Sequence, residues 1–300
     1  LLKKISNKSI AIYKKDKKYF APRYIQELKK ILKKNTNTCF LSGGTDLSLI
    51  VTKERKDINS IIYMNSISEL DYIKNNNKFI EVGASTSLTK FENYIQKHYA
   101  DFTAILKRYG SVQIRNIATI AGNIATASPI GDTLPLLLSL DAKLVLRSVK
   151  KIKIVPLNNF FVGYRKTKLK RGQFIESIRI PLFPKNIFKA YKVSKRFDDD
   201  ISSVCASFNL EIINKKIKNI KIAYGGMSSM PKRAKSCEEI LSGSLVTEQN
   251  INKAKAALER DFKPINDTRA SSKYRMIVAK NLLDKCFIEV LQKKLIRVNN

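Results

Sequence analysis

Residues 113–132 read QIRNIATIAGNIATASPIGD. Between Arg115 and Asp132 the stretch carries no charge, and most of its side chains are Ala, Thr, Ser, Gly or Asn. Elsewhere lysine is everywhere: 57 Lys and Arg stand against 25 Asp and Glu, a net charge of +32, and 43 of the basic residues are Lys. A surface loop in such a chain collects lysines. A segment that excludes them is buried or covered, and its polar groups, such as Thr119, Gly122, Asn123, Thr126 and Ser128, then need partners. Backbone carbonyls of a buried crossover would satisfy them. So would a ligand rich in hydrogen-bonding atoms, such as a pyrophosphate with a ribityl chain. Taken alone, the stretch leaves both readings open.

Working outward, residues 40–47 read FLSGGTDL. Strand, Gly-Gly, then Thr-Asp at a helix start is the arrangement in which free amides and a helix dipole hold a phosphate. Glycine lets bare backbone approach an anion or adopt φ > 0. The stretch is neither GxGxxG nor a P-loop, so a plain turn stays equally open. A third segment, YKVSKRFDDDIS (191–202), places three aspartates after Lys-Arg. A solvated loop is the usual meaning of such a run. Neighbouring carboxylates diverge, and no further ligand stands nearby, so no metal site is expected.

The remaining sequence bounds the answer. Three hundred residues suit two domains, each with its own core. Lysines spread along the chain beside Ile and Asn do not resemble the clustered Arg and interleaved aromatics of a nucleic-acid groove, so no nucleic-acid partner is expected. Cys39, Cys205, Cys237 and Cys286 lie far apart, and His98 is the single histidine. That pattern writes no zinc or iron–sulfur site and suits a reducing, cytoplasmic setting. The longest apolar run, LPLLLSL (134–140), is too short to span a membrane. No Ser-His-Asp, Cys-His or separated carboxylate pair is apparent, which points to a borrowed cofactor. Periodicity predicts helices at 23–34 and 88–98, a buried helix at 133–140, and strands at 38–42, 60–65, 78–85, 143–148, 151–157 and 174–182. SSVCASFNLEII and IKNIKIAYGG read as a hairpin, followed by a helical tail. Residues 1–19 read as a linker, and a composition shift near 183–190 marks the domain boundary.

FLSGGTDLSLIVTK, QIRNIATIAGNIATASPIGDTLP, FFVGYRKTKL, KVSKRFDDDIS and IAYGGM together resemble the FAD-binding portion of the xanthine dehydrogenase small subunit of bacteria, in the molybdenum hydroxylase family. The segments run in family order over roughly residues 20–296. The resemblance implies an α+β chain: a vanillyl-alcohol-oxidase-type FAD-binding domain (20–185), then a smaller α+β domain like the carbon-monoxide-dehydrogenase flavoprotein C-terminal domain (186–300). Residues 1–19 would then be a linker from a missing iron–sulfur portion.

The implied cofactor-binding residues are Phe40, Leu41, Ser42, Gly43, Gly44, Thr45, Asp46 and Leu47 around the pyrophosphate. Thr119, Ile120, Ala121, Gly122 and Asn123 form a second loop, with Asp132, Ile175 and Lys192 as further contacts and Tyr109 against the flavin ring. A buried Tyr109 hydroxyl would need a partner. Arg196, Asp198, Asp199 and Asp200 would lie near the flavin, where the nicotinamide of NAD arrives. No protein side chain is implied as catalytic. The chain would take electrons from iron–sulfur clusters of a partner and reduce NAD+, while hypoxanthine and xanthine are hydroxylated to urate on a molybdenum-cofactor-binding large subunit. Positive potential from Lys192, Lys195 and Arg196 would favour the anionic dinucleotide. The alternatives are the flavoprotein subunit of another molybdenum hydroxylase, acting with carbon monoxide, an aldehyde or an N-heterocycle, and a flavin-free assembly subunit.

Overall fold

The computed structural model describes residues 8–292. Among the described residues, three sheets of four or five strands follow one another along the chain, with one small two-stranded hairpin beside them, and the buried apolar residues fall into three clusters. In the first, β1 (Ile10–Lys14) and β2 (Lys17–Ala21) form a hairpin, and β3 (Cys39–Leu41) and β4 (Ser60–Tyr63) complete the order β1-β2-β4-β3. Strands β2, β4 and β3 run parallel. Helix α1 (Ile25–Lys34) buries Leu28 and Leu32 against Ile62, Met64 and Ile67. The hairpin corrects the reading of residues 10–19 as linker. Lys15 takes φ +53 in a tight turn, and Phe20 enters the core. Lysines on both strands had hidden the pairing. Residues 1–7 lie outside the described residues.

The short helix α2 (Ser48–Thr52) follows the Gly-Gly turn. The second sheet is antiparallel. It takes β5 (Ile73–Asn75), β6 (Phe79–Gly83), β7 (Lys143–Arg147) and β8 (Ile152–Pro156), then, past a small hairpin of β9 (Phe161–Gly163) and β10 (Lys166–Thr167), β11 (Phe174–Pro181). Its order is β5-β6-β11-β7-β8. Between β6 and β7 stand α3 (Leu88–Ile95), α4 (Ala100–Lys107), α5 (Val112–Ile117), α6 (Ile120–Thr126) and α7 (Thr133–Ser139). The charge-free stretch is therefore not a loop but two short helices and the turn after them.

The third sheet is the meander β12 (Ile187–Val193), β13 (Val204–Ile213), β14 (Lys216–Gly225) and β15 (Lys232–Arg233). The expected β13–β14 hairpin forms on a two-residue turn, Asn214-Lys215, with both φ positive at 49° and 60°. Helices α8 (Lys235–Leu241), α9 (Glu248–Asp261) and α10 (Ser272–Gln292) complete this half. No helix among the described residues is long and apolar enough to cross a membrane.

Helix α7 joins the halves. Every one of its seven residues is buried, and it packs against α6 on one side and β13 and β14 on the other. The seam is sealed by polar pairs: Ser139 and Ser207 hydroxyls lie 2.6 Å apart, and Asn209 Nδ2 donates to the Ser139 carbonyl at 3.2 Å. Asp141 pairs with Lys221 and, at 3.2 Å, with Arg233. Leu136 is fully buried in this helix, so its truncation leaves a cavity between the halves. Leu136→Ala is expected to lower unfolding stability by about 2–5 kcal/mol in a urea titration.

Candidate functional site

A cavity of about 580 Å³ opens at the carboxyl ends of β3 and β4. One wall is the turn after β3. Gly44 there has φ +72, a conformation that favours glycine, and its carbonyl accepts the Ser48 N–H at 3.0 Å. The N–H groups of Gly43, Gly44, Thr45 and Asp46 donate to no acceptor among the described residues, and these four residues line the cavity. They are the free donors such a turn offers to an anion.

Gly43 has a different reason to be glycine. A Cβ there would stand 2.1 Å from the carbonyl oxygen of Ile117 and 2.8 Å from the backbone nitrogen of Ala118. Its bareness serves contact between this turn and the α5–α6 junction, so the two stretches singled out in the sequence pack backbone to backbone. Asp46 does not cap α2, whose first turn has no side-chain cap. It pairs instead with Arg165 of the β9–β10 hairpin, Nη2 to Oδ2 at 2.5 Å.

The α5–α6 wall is built by two hydroxyl caps. Ser111 accepts from Ile114 N–H and Thr119 from Gly122 N–H, at 3.3 and 3.0 Å. Arg115 holds the turn before α5 by donating to the Gly110 carbonyl at 2.7 Å. In that turn Tyr109 presents its ring to the cavity. Its hydroxyl accepts from Asn123 Nδ2 at 2.9 Å, and Asn123 Oδ1 accepts from Thr133 at 2.6 Å. The phenol therefore has its partner, and the Asn123 amide is spent on orienting it. Burial first, then the Asp132 and Asp46 carboxylates, raise the Tyr109 hydroxyl far above the ordinary tyrosine range.

The far wall comes from both halves of the chain. Lys192, one residue before the end of β12, donates to Asp132 Oδ2 at 2.7 Å and to the Arg108 carbonyl at 2.8 Å. Ser202 donates to Asp132 Oδ1 at 2.5 Å. Both charged side chains are buried. They line the cavity, yet answer each other before any ligand. Arg108 then clamps the charged loop, donating to the Lys192 and Phe197 carbonyls at 3.1 and 2.8 Å and lying over the Phe197 ring. Arg196 pairs with Asp200 within the loop, and hydrogen bonds from the Arg196 and Ile201 N–H groups hold the Asp200 carboxyl below the usual range. Lys195 donates to the Thr268 carbonyl at 2.9 Å. The expected positive field from Lys192, Lys195 and Arg196 is thus largely committed: two of the three are paired with carboxylates and the third with a carbonyl.

Most of the sequence-predicted residues meet in this one cavity. Phe40, Ser42 through Leu47, Tyr109, Thr119, Ala121, Gly122, Asn123, Asp132, Ile175, Lys192, Asp199 and Asp200 all line it. Leu41 and Ile120 do not: Leu41 lies in β3 with its side chain beside Gly44, and Ile120 is buried in the core. Arg196 and Asp198 are exposed outside the lining. Sequence reasoning missed Met64, Ala84 and Phe174, apolar residues within or at the start of predicted strands, and Leu169, which lies between two of them; no polar signature marks any of the four. IAYGGM contributes from behind: Gly226 N–H donates to the Pro129 carbonyl at 2.8 Å and fixes the ASPI turn. Among the described residues no group of three or more His, Cys, Asp or Glu stands where a metal ion would be held.

A xanthine dehydrogenase of Blastobotrys adeninivorans is 33% identical over 97% of this chain but only 22% of its own length. The chain spans about a fifth of the xanthine dehydrogenases it matches. The glyceraldehyde dehydrogenase medium chain of Sulfolobus acidocaldarius is 29% identical over 93% of this chain and 100% of its own. Among solved structures, the carbon monoxide dehydrogenase of Hydrogenophaga pseudoflava superposes with a TM-score of 0.83 at 23% identity, over 88% of this chain and 93% of the matched one, which shows the fold. The family described as the CO dehydrogenase flavoprotein C-terminal domain matches residues 189–290. With residues 13–183 matching the FAD binding domain in molybdopterin dehydrogenase, the chain belongs to the FAD-binding components of the molybdenum hydroxylases.

Proposed function

We propose that this chain is the FAD-carrying electron-transfer component of a xanthine dehydrogenase, working in the cytoplasm with NAD+ as acceptor. The observation that carries the reading is the joining of two charge-poor backbone stretches around one cavity, with the amides of residues 43–46 unspent. The residues fit FAD. The volume lies within the range of about 300–1,000 Å³ typical of cofactor sites, the free amides suit a diphosphate, and Tyr109 offers a flat aromatic surface. When bound, FAD supplies the two-electron chemistry that this chain's side chains lack.

The protein's own tasks are then specific. Residues 43–46 hold the diphosphate, Asn123 fixes Tyr109, and the Asp132–Lys192 pair closes the far wall. The loop at 196–200, held by Arg108, borders the place where a nicotinamide would arrive. In this reading the FAD-binding domain takes in the β1–β2 hairpin and ends near residue 185, and the flavoprotein C-terminal domain follows from residue 186. The partners are a molybdenum-cofactor subunit and an iron–sulfur domain. Xanthine is favoured by the 31–33% identities to xanthine dehydrogenases. Relatives of similar length named for glyceraldehyde and nicotinate support a second reading, in which the complex takes an aldehyde or an N-heterocycle.

The test is the visible spectrum and activity of the purified chain after reconstitution with FAD. Flavin absorbance without iron–sulfur bands, NADH oxidation with an artificial acceptor, and no oxidation of xanthine are expected. Colourless protein that takes up no FAD would identify the flavin-free assembly subunit instead.

A further inference from the structure

The cavity has the wrong sign for a polyanion. In a chain of net charge +32, its charged lining side chains are Asp46, Asp132, Asp199 and Asp200 against Lys192 alone. Asp132 is neutralised by Lys192, and Asp200 by Arg196. Asp46 sits within the very turn whose amides are free, and Arg165 answers it at 2.5 Å. Both partners are more than two-fifths exposed, at 42% and 44%, and an ion pair so open adds little to fold stability. Its value lies elsewhere. An uncompensated carboxylate beside free amides repels any phosphate those amides would bind, and the repulsion reaches several ångströms before salt screens it. The cation is also held in place. Arg165 stands at φ +50 in the tight turn between β9 and β10, so the guanidinium is presented from a hairpin and not from a free chain.

We propose that Arg165 is a positioning residue whose charge cancels Asp46, so that the amides of residues 43–46 accept the diphosphate of a dinucleotide. The inference rests on the FAD reading above and adds to it the residue that sets the sign of the phosphate subsite. Arg165 does not touch the phosphates in this account; it acts through Asp46.

The full chain is titrated with FAD, following flavin fluorescence, in low salt and in about 0.5 M NaCl. Arg165→Gln is expected to weaken binding about tenfold in low salt and only about twofold in high salt, where the exposed Asp46 carboxylate is screened by counter-ions. Arg165→Lys, which keeps the charge, stays within about threefold of the parent. Asp46→Asn moves the other way and tightens binding about threefold, because Arg165 is then an unopposed cation. Asp46→Asn with Arg165→Gln returns close to the parent value. Opposite signs for the two single variants, with restoration in the double, are the signature of a counter-charge. A mechanical latch weakens binding in both single variants, without salt dependence, and that result overturns the proposal. So does a weakened Asp46→Asn alone, which would make the carboxylate a direct ligand contact. If the parent chain takes up no FAD, the underlying reading fails and the proposal with it. A parent that binds while Arg165→Gln binds equally well defeats only the proposal.

Discussion

Purified Gly43→Ala is expected to retain almost no flavin, with an affinity for FAD lower than the parent by about a hundredfold. A single methyl group suffices because of what it meets. The added Cβ would lie 2.1 Å from the Ile117 carbonyl oxygen, 2.4 Å from its carbon and 2.8 Å from Ala118 nitrogen. All three are backbone atoms, so no side chain can swing aside. Overpacking of a close contact costs about 1–3 kcal/mol, and rigidity on both sides puts this one at the upper end, which is about two decades of affinity. The relief available is to lift the Gly-Gly turn away from the α5–α6 junction, and that separates the two walls of the cavity.

Gly44→Ala provides the contrast. Its φ of +72 is unfavourable for alanine, but the new methyl meets only the flexible end of Leu41 at 3.2 Å. About 1 kcal/mol of backbone strain predicts roughly a fivefold loss. Flavin-to-protein ratios after gel filtration, with affinities from fluorescence titration, rank the two. Wild-type affinity in Gly43→Ala would mean that the two stretches do not pack as described.

The same contact shows what the sequence disclosed and what it withheld. Short apolar runs rich in β-branched residues marked β6, β7, β11 and the β13–β14 hairpin; β6 alternates as a half-buried strand does, whereas β13 buries its first seven residues. The absence of charge from 116–131 marked a segment that is buried or half-buried over most of its length, with Asn116, Ile117 and Ala125 exposed. Its conformation was not readable: Ala, Thr, Ser and Gly carry no period of 3.6, so two short helices looked like a loop. Residues 10–14 were missed for the opposite reason, since an exposed edge strand buries none of its residues and shows no apolar face.

Pairings were the least visible. Nothing in the spacing of Asp132 and Lys192, or of Asp46 and Arg165, announces that they meet, because each pair is made by tertiary contact across 60 or 119 residues. The residues inferred by resemblance mostly line one cavity. The protein's own claim on their side chains appears only once the fold brings them together.

Lys192→Met is expected to destabilise the whole chain, by about 3–5 kcal/mol. Lys192 and Asp132 have side chains only 1% and 6% exposed. Removing the lysine leaves a buried carboxylate with Ser202 as its remaining side-chain partner, and breaking a desolvated pair in this way costs far more than the pair contributed when intact. The location magnifies the consequence. Asp132 immediately precedes α7, Lys192 lies one residue before the end of β12, and Ser202 leads into β13, so one carboxylate ties the first half of the chain to two strands of the second.

The unfolding midpoint should fall by about 10 °C, given a shift of about 2–4 °C per kcal/mol for chains of this size, and flavin retention should fall with it. The double variant Asp132→Asn with Lys192→Met separates charge from packing. A neutral amide still accepts the Ser202 hydroxyl and carries no ion to desolvate, so most of the lost stability should return. If Lys192→Met loses less than about 1 kcal/mol in urea, the pair behaves as a solvated one, and the far wall of the cavity is open to water. If the double variant is no better than the single, the lysine acts through its stem and its bond to the Arg108 carbonyl, and the seam between the halves rests on that backbone contact instead.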